Sequence, residues 1–338
     1  MNSVPVALIG CDGIGRELAQ AVSRLLNSCF GVGFLEIEAG YEHFRRTGRT
    51  LDAEDLQRIR SCRGILFGAT RSPRSRVAGY ESPILLLRKH FDLFANIRPV
   101  KSRLKGERKM DVIIVRENIE GLYAGRERSN GPEEAVAEKV VTARNTERLA
   151  RFAFEHARHL GRTRVTVVHK SNVLKLSDGM FRGICLEVGR DYPDMEVREE
   201  LVDAAAYHLV RDAGRFDVIL TMNMYGDILS DVAAGASDGL GFAPSLSIGP
   251  ETALAEPVHG SAPDIAGKGI ANPYGMVFSS CLLLERLGQE QDSRALRAAA
   301  EQAIAEAFLT PDAGGSHSTE EVLCAVEQNV RAGSRQAE

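Results

Sequence analysis

Apolar positions along the chain fall into two rhythms. Val6–Ile9, Gly64–Gly68, Val112–Val115, Val165–Val168 and Val218–Leu220 are short, uniformly apolar runs rich in β-branched residues. Runs that short and that uniform predict strands buried on both faces rather than amphipathic helices. Arg16–Leu26, Arg144–Leu160, Ser177–Asp191, Arg294–Phe308 and Thr319–Val330 instead carry apolar residues at helical spacing. Thr319 is placed to cap the last of these, ahead of Glu320 and Glu321 in the first turn. Strand and helix alternate, which predicts an α/β architecture with a mostly parallel central sheet. Gly235–Gly241 and Gly260–Pro273 read as glycine-rich loops, and Ala332–Glu338 as a frayed tail. There is no internal repeat.

Length and composition bound what such a chain does. At ~100–200 residues per domain, 338 residues predict two domains with ample core. Charged residues at 26% and hydrophobic residues at 44% are ordinary for a folded globular protein and exclude general disorder. The net charge of −4 gives no global positive field, so nucleic acid is not an expected partner. Of the 42 basic residues only eight are Lys and 34 are Arg, which makes any Lys inside a motif worth examining. The six Cys are scattered, with no C-x-x-C pair, and read as reduced thiols. Met1–Gly10 runs straight into a strand-like segment, and no stretch approaches ~18 uninterrupted apolar residues. The expectation is a cytoplasmic soluble protein without membrane partners.

The chemistry-bearing residues gather after the strands, where open α/β sheets bind ligands. Gly10-Cys11-Asp12-Gly13-Ile14-Gly15 joins a strand to a helix but is G-x-x-G-x-G, and no clear acidic residue closes a second strand about 20 residues on. It therefore reads as a tight turn, not a Rossmann fingerprint. The loop His259-Gly260-Ser261-Ala262-Pro263-Asp264 has small residues that let backbone approach a ligand. Asp264 is suited to accept both hydroxyls of an adenosine ribose, which favours NAD over NADP because a carboxylate repels a 2′-phosphate. In Tyr225-Gly226-Asp227-Ile228-Leu229-Ser230-Asp231 the two aspartates are four apart, sharing a helix face at about 6 Å. Hard carboxylates so placed suit Mg²⁺ or Mn²⁺, although the same spacing also occurs on solvated helix faces. Asp203 opens another helical stretch and is a candidate third ligand. Lys170 and Asn172 follow the strand Val165–Val168, Arg116 follows Val112–Val115, and Tyr123 comes seven residues later. Arg88 and Arg98 complete a set of three guanidinium groups, the natural bidentate clamps for a di- or tricarboxylate.

Taken together, these segments resemble the β-decarboxylating dehydrogenases of 3-substituted malates, the isocitrate, isopropylmalate and homoisocitrate dehydrogenases. The resemblance runs from about Val6 to Val330. It rests on Leu87-Arg88-Lys89 through Phe94-Ala95-Asn96-Ile97-Arg98-Pro99, on Val115-Arg116-Glu117-Asn118, and on His169-Lys170-Ser171-Asn172. Gly226-Asp227-Ile228-Leu229-Ser230-Asp231 and His259 through Pro273 complete it. Gly79-Tyr80-Glu81-Ser82-Pro83-Ile84 leading into Arg88 looks most like the homoisocitrate enzymes of the fungal lysine pathway. The resemblance implies a two-domain fold with a non-Rossmann cofactor site. Residues 1–99 with 238–338 would form the cofactor-binding domain, and 100–237 the substrate, metal and dimerisation domain. It also implies a homodimer whose sites borrow Lys170, Asn172 and Asp203 from the second subunit.

Carried over residue by residue, Arg88, Arg98 and Arg116 would hold substrate carboxylates, with Ser82 and Asn172 as further substrate contacts. Asp203, Asp227 and Asp231 would hold Mg²⁺ or Mn²⁺. Lys170 and Tyr123 would move protons, and His259, Gly260, Ser261, Ala262, Asp264 and Asn272 would bind NAD. The implied reaction is NAD-dependent oxidative decarboxylation of homoisocitrate to 2-oxoadipate and CO₂, in lysine biosynthesis by the aminoadipate route. Isopropylmalate and isocitrate stay open, because Ile84, Leu85 and Leu86 make the substrate segment apolar while Ser82 suits a distal carboxylate. Ile119 stands where relatives often have a Thr near the nicotinamide. A non-catalytic regulatory subunit is the reading from another class. Retention of Tyr123, Lys170 and all three aspartates argues against it.

Overall fold

The computed structural model describes residues 4–73, 75, 77–104 and 109–336; Lys105, one of the eight lysines, and the last two tail residues lie outside them. Its strands are β1 (Val6–Cys11), β2 (Phe34–Glu36), β3 (Ile65–Ala69), β4 (Ala95–Lys101), β5 (Asp111–Glu117), β6 (Glu127–Ser129), β7 (Ala135–Ala137), β8 (Arg164–His169), β9 (Glu196–Leu201), β10 (Val218–Thr221), β11 (Pro244–Ile248) and β12 (Ala253–Pro257). Its helices are α1 (Ile14–Phe30), α2 (Tyr41–Thr47), α3 (Ala53–Arg60), α4 (Pro83–His90), α5 (Ala143–His159), α6 (Ser177–Gly189), α7 (Val202–Arg211), α8 (Asn223–Ala236), α9 (Tyr274–Arg286), α10 (Glu290–Ala305) and α11 (Thr319–Gln336).

All the strands but β6 and β7 form one ten-stranded sheet in the order β2-β1-β3-β12-β11-β4-β5-β10-β8-β9. The sheet is mostly parallel, with an antiparallel centre where β4 pairs with β5 and β11, and β11 with β12. Each strand expected from its apolar run is present, buried on both faces as such runs require: β1, β3, β5, β8 and β10. The central antiparallel strands escape that criterion because their buried residues include Asn96, Arg98, Ser245, Ser247 and Glu256. These polar groups satisfy one another. Asn96 Nδ2 donates to Ser247 Oγ at 3.0 Å, and Asn118 Nδ2 to the same oxygen at 3.2 Å. Pro99 is tolerated in β4 because the pairing with β11 stops at Ile97, leaving β4 with β5 alone beyond it.

Helices cover both faces of the sheet, and α9 is buried along almost its whole length. Several boundaries differ from the sequence reading. The helix expected at Arg294–Phe308 runs from Glu290 to Ala305, Gly235 lies inside α8 rather than in a loop, and α11 continues to Gln336 where a frayed tail was expected. The cap of α11 is Ser318, not Thr319. Ser318 Oγ accepts the Glu321 N–H at 3.3 Å while the Glu321 carboxylate accepts the Ser318 N–H at 2.7 Å, a reciprocal capping box. The Thr319 hydroxyl is committed elsewhere, to the Ala271 carbonyl at 2.6 Å. All six cysteines are free thiols, and among the described residues no helix is long and apolar enough to cross a membrane.

Candidate active site

The parallel neighbours β5, β10 and β8 end on one edge of the sheet, so Arg116, Asn223 and Lys170 all emerge there. Arg116 is the last-but-one residue of β5 and 1% exposed. Its Nε and an Nη donate to Asn223 Oδ1 at 3.2 and 2.7 Å, and its other Nη reaches Asp227 Oδ1. Only glycine fits beneath it: a Cβ on Gly226 would lie 2.6 Å from Arg116 Cγ. Arg98 arrives from β4, its Nε held by Asn96 Oδ1 at 2.7 Å. One Nη of Arg98 bonds Ser230 Oγ at 2.7 Å and Asp227 Oδ1 at 3.1 Å. Tyr123 closes the cluster from the loop after β5, donating to Asp227 Oδ2 at 2.5 Å with Arg116 over its ring at 5.1 Å. Arg88 comes from α4, with one Nη on Glu256 Oε1 at 2.9 Å and a buried Nε that has no partner.

The electrostatics of this cluster point to an anionic ligand. Burial first, then Arg98 and Arg88, bring Arg116 down to about 9. Burial likewise lowers Arg98 against the opposing pull of Asp227. For Asp227 burial works upward, but Arg116 and Arg98 outweigh it and hold the carboxyl below its ordinary value. Asp231 goes the other way, raised by desolvation with Arg98 opposing. Burial and then Asp227 push Tyr123 up, so its hydroxyl stays a donor. Three buried guanidinium groups near one another are costly, and an added carboxylate relieves the cost.

Asp227 and Asp231 do share the face of α8 expected from their spacing. Asp231 makes no hydrogen bond among the described residues, and its carboxylate is a hard donor of the type divalent cations take. Among the described residues no third His, Cys, Asp or Glu joins them. Asp203 sits instead at the start of α7, exposed and ion-paired with Lys170, which lowers its pKa. Lys170, partly buried, thus pairs with the exposed Asp203, and Asn172 is exposed two residues further along. Two neighbouring carboxylates are the donor chemistry that a divalent cation takes.

The loop His259–Asp264 grows directly out of β12, whose Glu256 holds Arg88. It touches the turn after β1: Ile14 N donates to Ser261 O at 3.0 Å, and a Cβ on Gly13 would lie 2.1 Å from that oxygen. Asp12 anchors that first turn. The buried Asp12 carboxylate accepts the N–H groups of Tyr41, Glu42 and Arg71 at 2.9–3.0 Å. His259 is pushed to lower pKa by burial, and its Nε2 is buried without a partner. Ala262 holds a strained φ of +35°. Asp264 is exposed and free of hydrogen bonds, whereas Asn272 is engaged by Asp312 at 3.1 Å. An orphaned imidazole nitrogen beside small residues and a free carboxylate fit a dinucleotide.

Sequence reasoning missed Asn223 and Glu256, which hold Arg116 and Arg88, and Glu117, which accepts the Asn223 amide. Each is an ordinary polar residue until the fold buries it.

The chain belongs to the isocitrate/isopropylmalate dehydrogenase family, whose profile it matches over residues 5–326. It is 43% identical over 335 residues to the 3-isopropylmalate dehydrogenase of Methanothermobacter thermautotrophicus, covering 98% of this chain and 99% of that one. It is equally 43% identical over 329 residues to the isocitrate/homoisocitrate dehydrogenase of Thermus thermophilus, covering 96% and 98%. The crystal structure of isocitrate dehydrogenase from Methylococcus capsulatus superposes with a TM-score of 0.92 at 37% identity, covering 97% of this chain and 99% of that one. The protein is thus a β-decarboxylating dehydrogenase by fold and family.

Proposed function

We propose that the chain carries out NAD-dependent oxidative decarboxylation of a 3-substituted malate, with homoisocitrate as the first candidate substrate. The observation that carries this reading is the convergence of Arg88, Arg98 and Arg116, all buried, whose only direct carboxylate partners among the described residues are Asp227 and Glu256. The free Nε of Arg88 suits a substrate carboxylate. Ser82 caps α4 without using its hydroxyl, leaving it available to a distal carboxylate. Isopropylmalate is the second reading, and Leu85 favours it. Ser82, Leu85 and Arg88 are three apart and form one stripe of α4. Ile84 and Leu86 pack against a buried cluster, but Leu85 joins none.

In this reading His259–Asp264 and Asn272 would hold NAD⁺, whose nicotinamide would supply the hydride acceptor, and Asp227 and Asp231 would hold a divalent ion supplying Lewis-acid charge stabilisation. Lys170 Nζ takes the proton of the C2 hydroxyl as C2 is oxidised. After CO₂ leaves with its bonding pair retained at C3, Tyr123 Oη returns a proton to that carbon. The arginines orient the substrate carboxylates throughout.

Lys170, Asn172 and Asp203 reach this pocket from a second copy of the chain, giving a homodimer with shared sites. Exposed apolar side chains surround them: Val173 is 64% and Leu176 87% exposed, and Tyr207 and Ile228 stand out from α7 and α8. The two-stranded β6–β7 ribbon pairs with no other strand among the described residues and, like other lone hairpins, needs a surface to lie on. Residues 1–99 with 238–338 form the cofactor domain and 100–237 the substrate and dimer domain.

The test is reduction of NAD⁺ with homoisocitrate, isocitrate and isopropylmalate side by side, with Mg²⁺ and with chelator. Turnover of one of them that stops with chelator is expected. Turnover of none sinks the reading, and turnover indifferent to chelator sinks the role of the aspartates.

A further inference from the structure

One buried ion pair lies beside Lys170 and belongs to none of the groups above. Asp178, in the first turn of α6, is wholly buried. Its Oδ1 accepts Lys139 Nζ at 2.5 Å and the Ser177 hydroxyl at 3.1 Å, while Oδ2 accepts the backbone N–H of Lys170 at 2.9 Å. Lys139 follows the β6–β7 ribbon and is itself mostly buried, at 17% exposure. It also donates to Tyr225 Oη at 3.2 Å and sits 4.3 Å from the centre of that ring. Tyr225 lies on α8, two residues before Asp227.

Stability alone does not account for such a pair, because a buried ion pair is commonly no better than an apolar replacement of similar volume. What an apolar replacement lacks is a second acceptor. The Asp178 carboxylate spends one oxygen on Lys139 and the other on the Lys170 amide. Besides the Lys170–Asp203 ion pair at the side chain, the backbone of the turn that follows β8 is held by local bonds: Val173 N to Lys170 O at 3.0 Å, Leu174 N to the same oxygen at 2.9 Å and Ser171 N to His169 Nδ1 at 3.3 Å. Val173 and Leu174 are exposed, so packing does not fix the turn either.

We propose that Asp178, neutralised and aimed by Lys139, is the positioning residue for Lys170. The pair fixes where the Lys170 backbone leaves β8, and Tyr225 ties that point to α8. This rests on the reading of Lys170 as the proton acceptor. It extends that reading to two residues that touch neither substrate nor cofactor.

The test compares Asp178→Ala, Lys139→Met, the double variant Lys139→Met/Asp178→Asn and Lys170→Met with the wild type. Misplacing a reacting group by about an ångström costs up to about 100-fold, so Asp178→Ala is expected to lower kcat by about 10- to 100-fold, with KM for the malate changed by less than about threefold. Lys139→Met is expected to fall in the same direction but less far, and Lys139→Arg to restore most of the loss. Amide hydrogen exchange supplies a readout independent of turnover. The Lys170 N–H exchanges faster in Asp178→Ala, while the amides of β8 keep their protection. If a single variant fails to fold, the double variant, which leaves no unpaired buried charge, replaces it. Wild-type kcat and an unchanged Lys170 exchange rate in these variants overturn the proposal. Turnover surviving in Lys170→Met instead overturns the assignment of Lys170 and leaves the exchange result to judge the anchor.

Discussion

Tyr123 and Asp227 show how much one hydrogen bond decides. Tyr123→Phe keeps the ring under Arg116 and leaves Asp227 its two arginines, so the fold has little to lose. The proton for C3 is gone, and removing a positioned general acid costs about 10²–10⁴ in rate. Turnover should fall by that range with an unchanged melting temperature, and near-normal turnover would remove Tyr123 from the mechanism. Glu117 makes the opposite kind of prediction, one of stability. Burial is the main force raising its pKa from 4.5 to about 7, against the backbone N–H groups of Ile119 and Glu120 that it accepts. Below about 4.5 the side chain is protonated in both folded and unfolded chains. Between 4.5 and 7 the unfolded chain releases a proton that the folded chain keeps, so stability falls as pH rises, by up to about 3 kcal/mol once above 7. Glu117→Gln lacks this titration. Urea unfolding at pH 5 and pH 8 should therefore show the variant gaining on the wild type at the higher pH, and a constant difference would refute the burial argument. The arginines, Tyr123 and Asp227 were legible in the sequence because each follows a recognisable strand or sits in a charged motif. Glu117 was not, because its role comes from packing against Asn223, 106 positions away.

Elements were legible where a single face decided them. The apolar strands and the long amphipathic helices follow from period alone, whereas β4, β11 and β12 hide buried Asn, Arg, Ser and Glu that only pair across the antiparallel centre. Short α4 was hidden too, since in eight residues it buries Pro83, Leu87 and Arg88 while Ser82, Leu85 and Arg88 run along one stripe. In the proposed function that stripe sets substrate choice. Leu85→Arg places a guanidinium between the Ser82 hydroxyl and Arg88, so it favours a carboxylalkyl over an alkyl substituent at C3. A pocket built to pair a polar group discriminates far more strongly than one separating methylenes, which is worth only about 10–200-fold. The ratio of kcat/KM for homoisocitrate over isopropylmalate should therefore rise by at least about tenfold. An unmoved ratio would place the discriminating contact elsewhere than on α4.

At the scale of the whole molecule, one chain holds two incomplete halves. Arg98 on β4, Arg116 near the end of β5, Tyr123 just beyond it, and Asp227 and Asp231 on α8 supply one group, while Lys170 pairs with the exposed Asp203, and the chain that follows Lys170 exposes Val173, Leu174 and Leu176. In the proposed function Lys170 is the proton acceptor and a twofold partner completes the site: an isologous interface gives each site the other chain's Lys170. Complementation separates this from a site completed within one chain. Lys170→Met and Tyr123→Phe are each expected to be inactive alone. In a mixed dimer, one of the two sites combines an intact Tyr123 from the first chain with an intact Lys170 from the second, and the other site carries both lesions. Random reassortment of equal amounts makes half the dimers mixed, so co-refolding should restore about a quarter of wild-type turnover. Shared sites predict this recovery only when the chains exchange, so mixing folded dimers without unfolding should restore much less. If Lys170 instead swings into its own chain's pocket, co-refolding recovers nothing, because every site carries one of the two lesions. Adding a charge to the exposed apolar surface, as in Leu176→Asp, then supplies an independent check. Under the shared-site arrangement it lowers the dimer fraction in sedimentation and the turnover together, and a fully active monomer would overturn it.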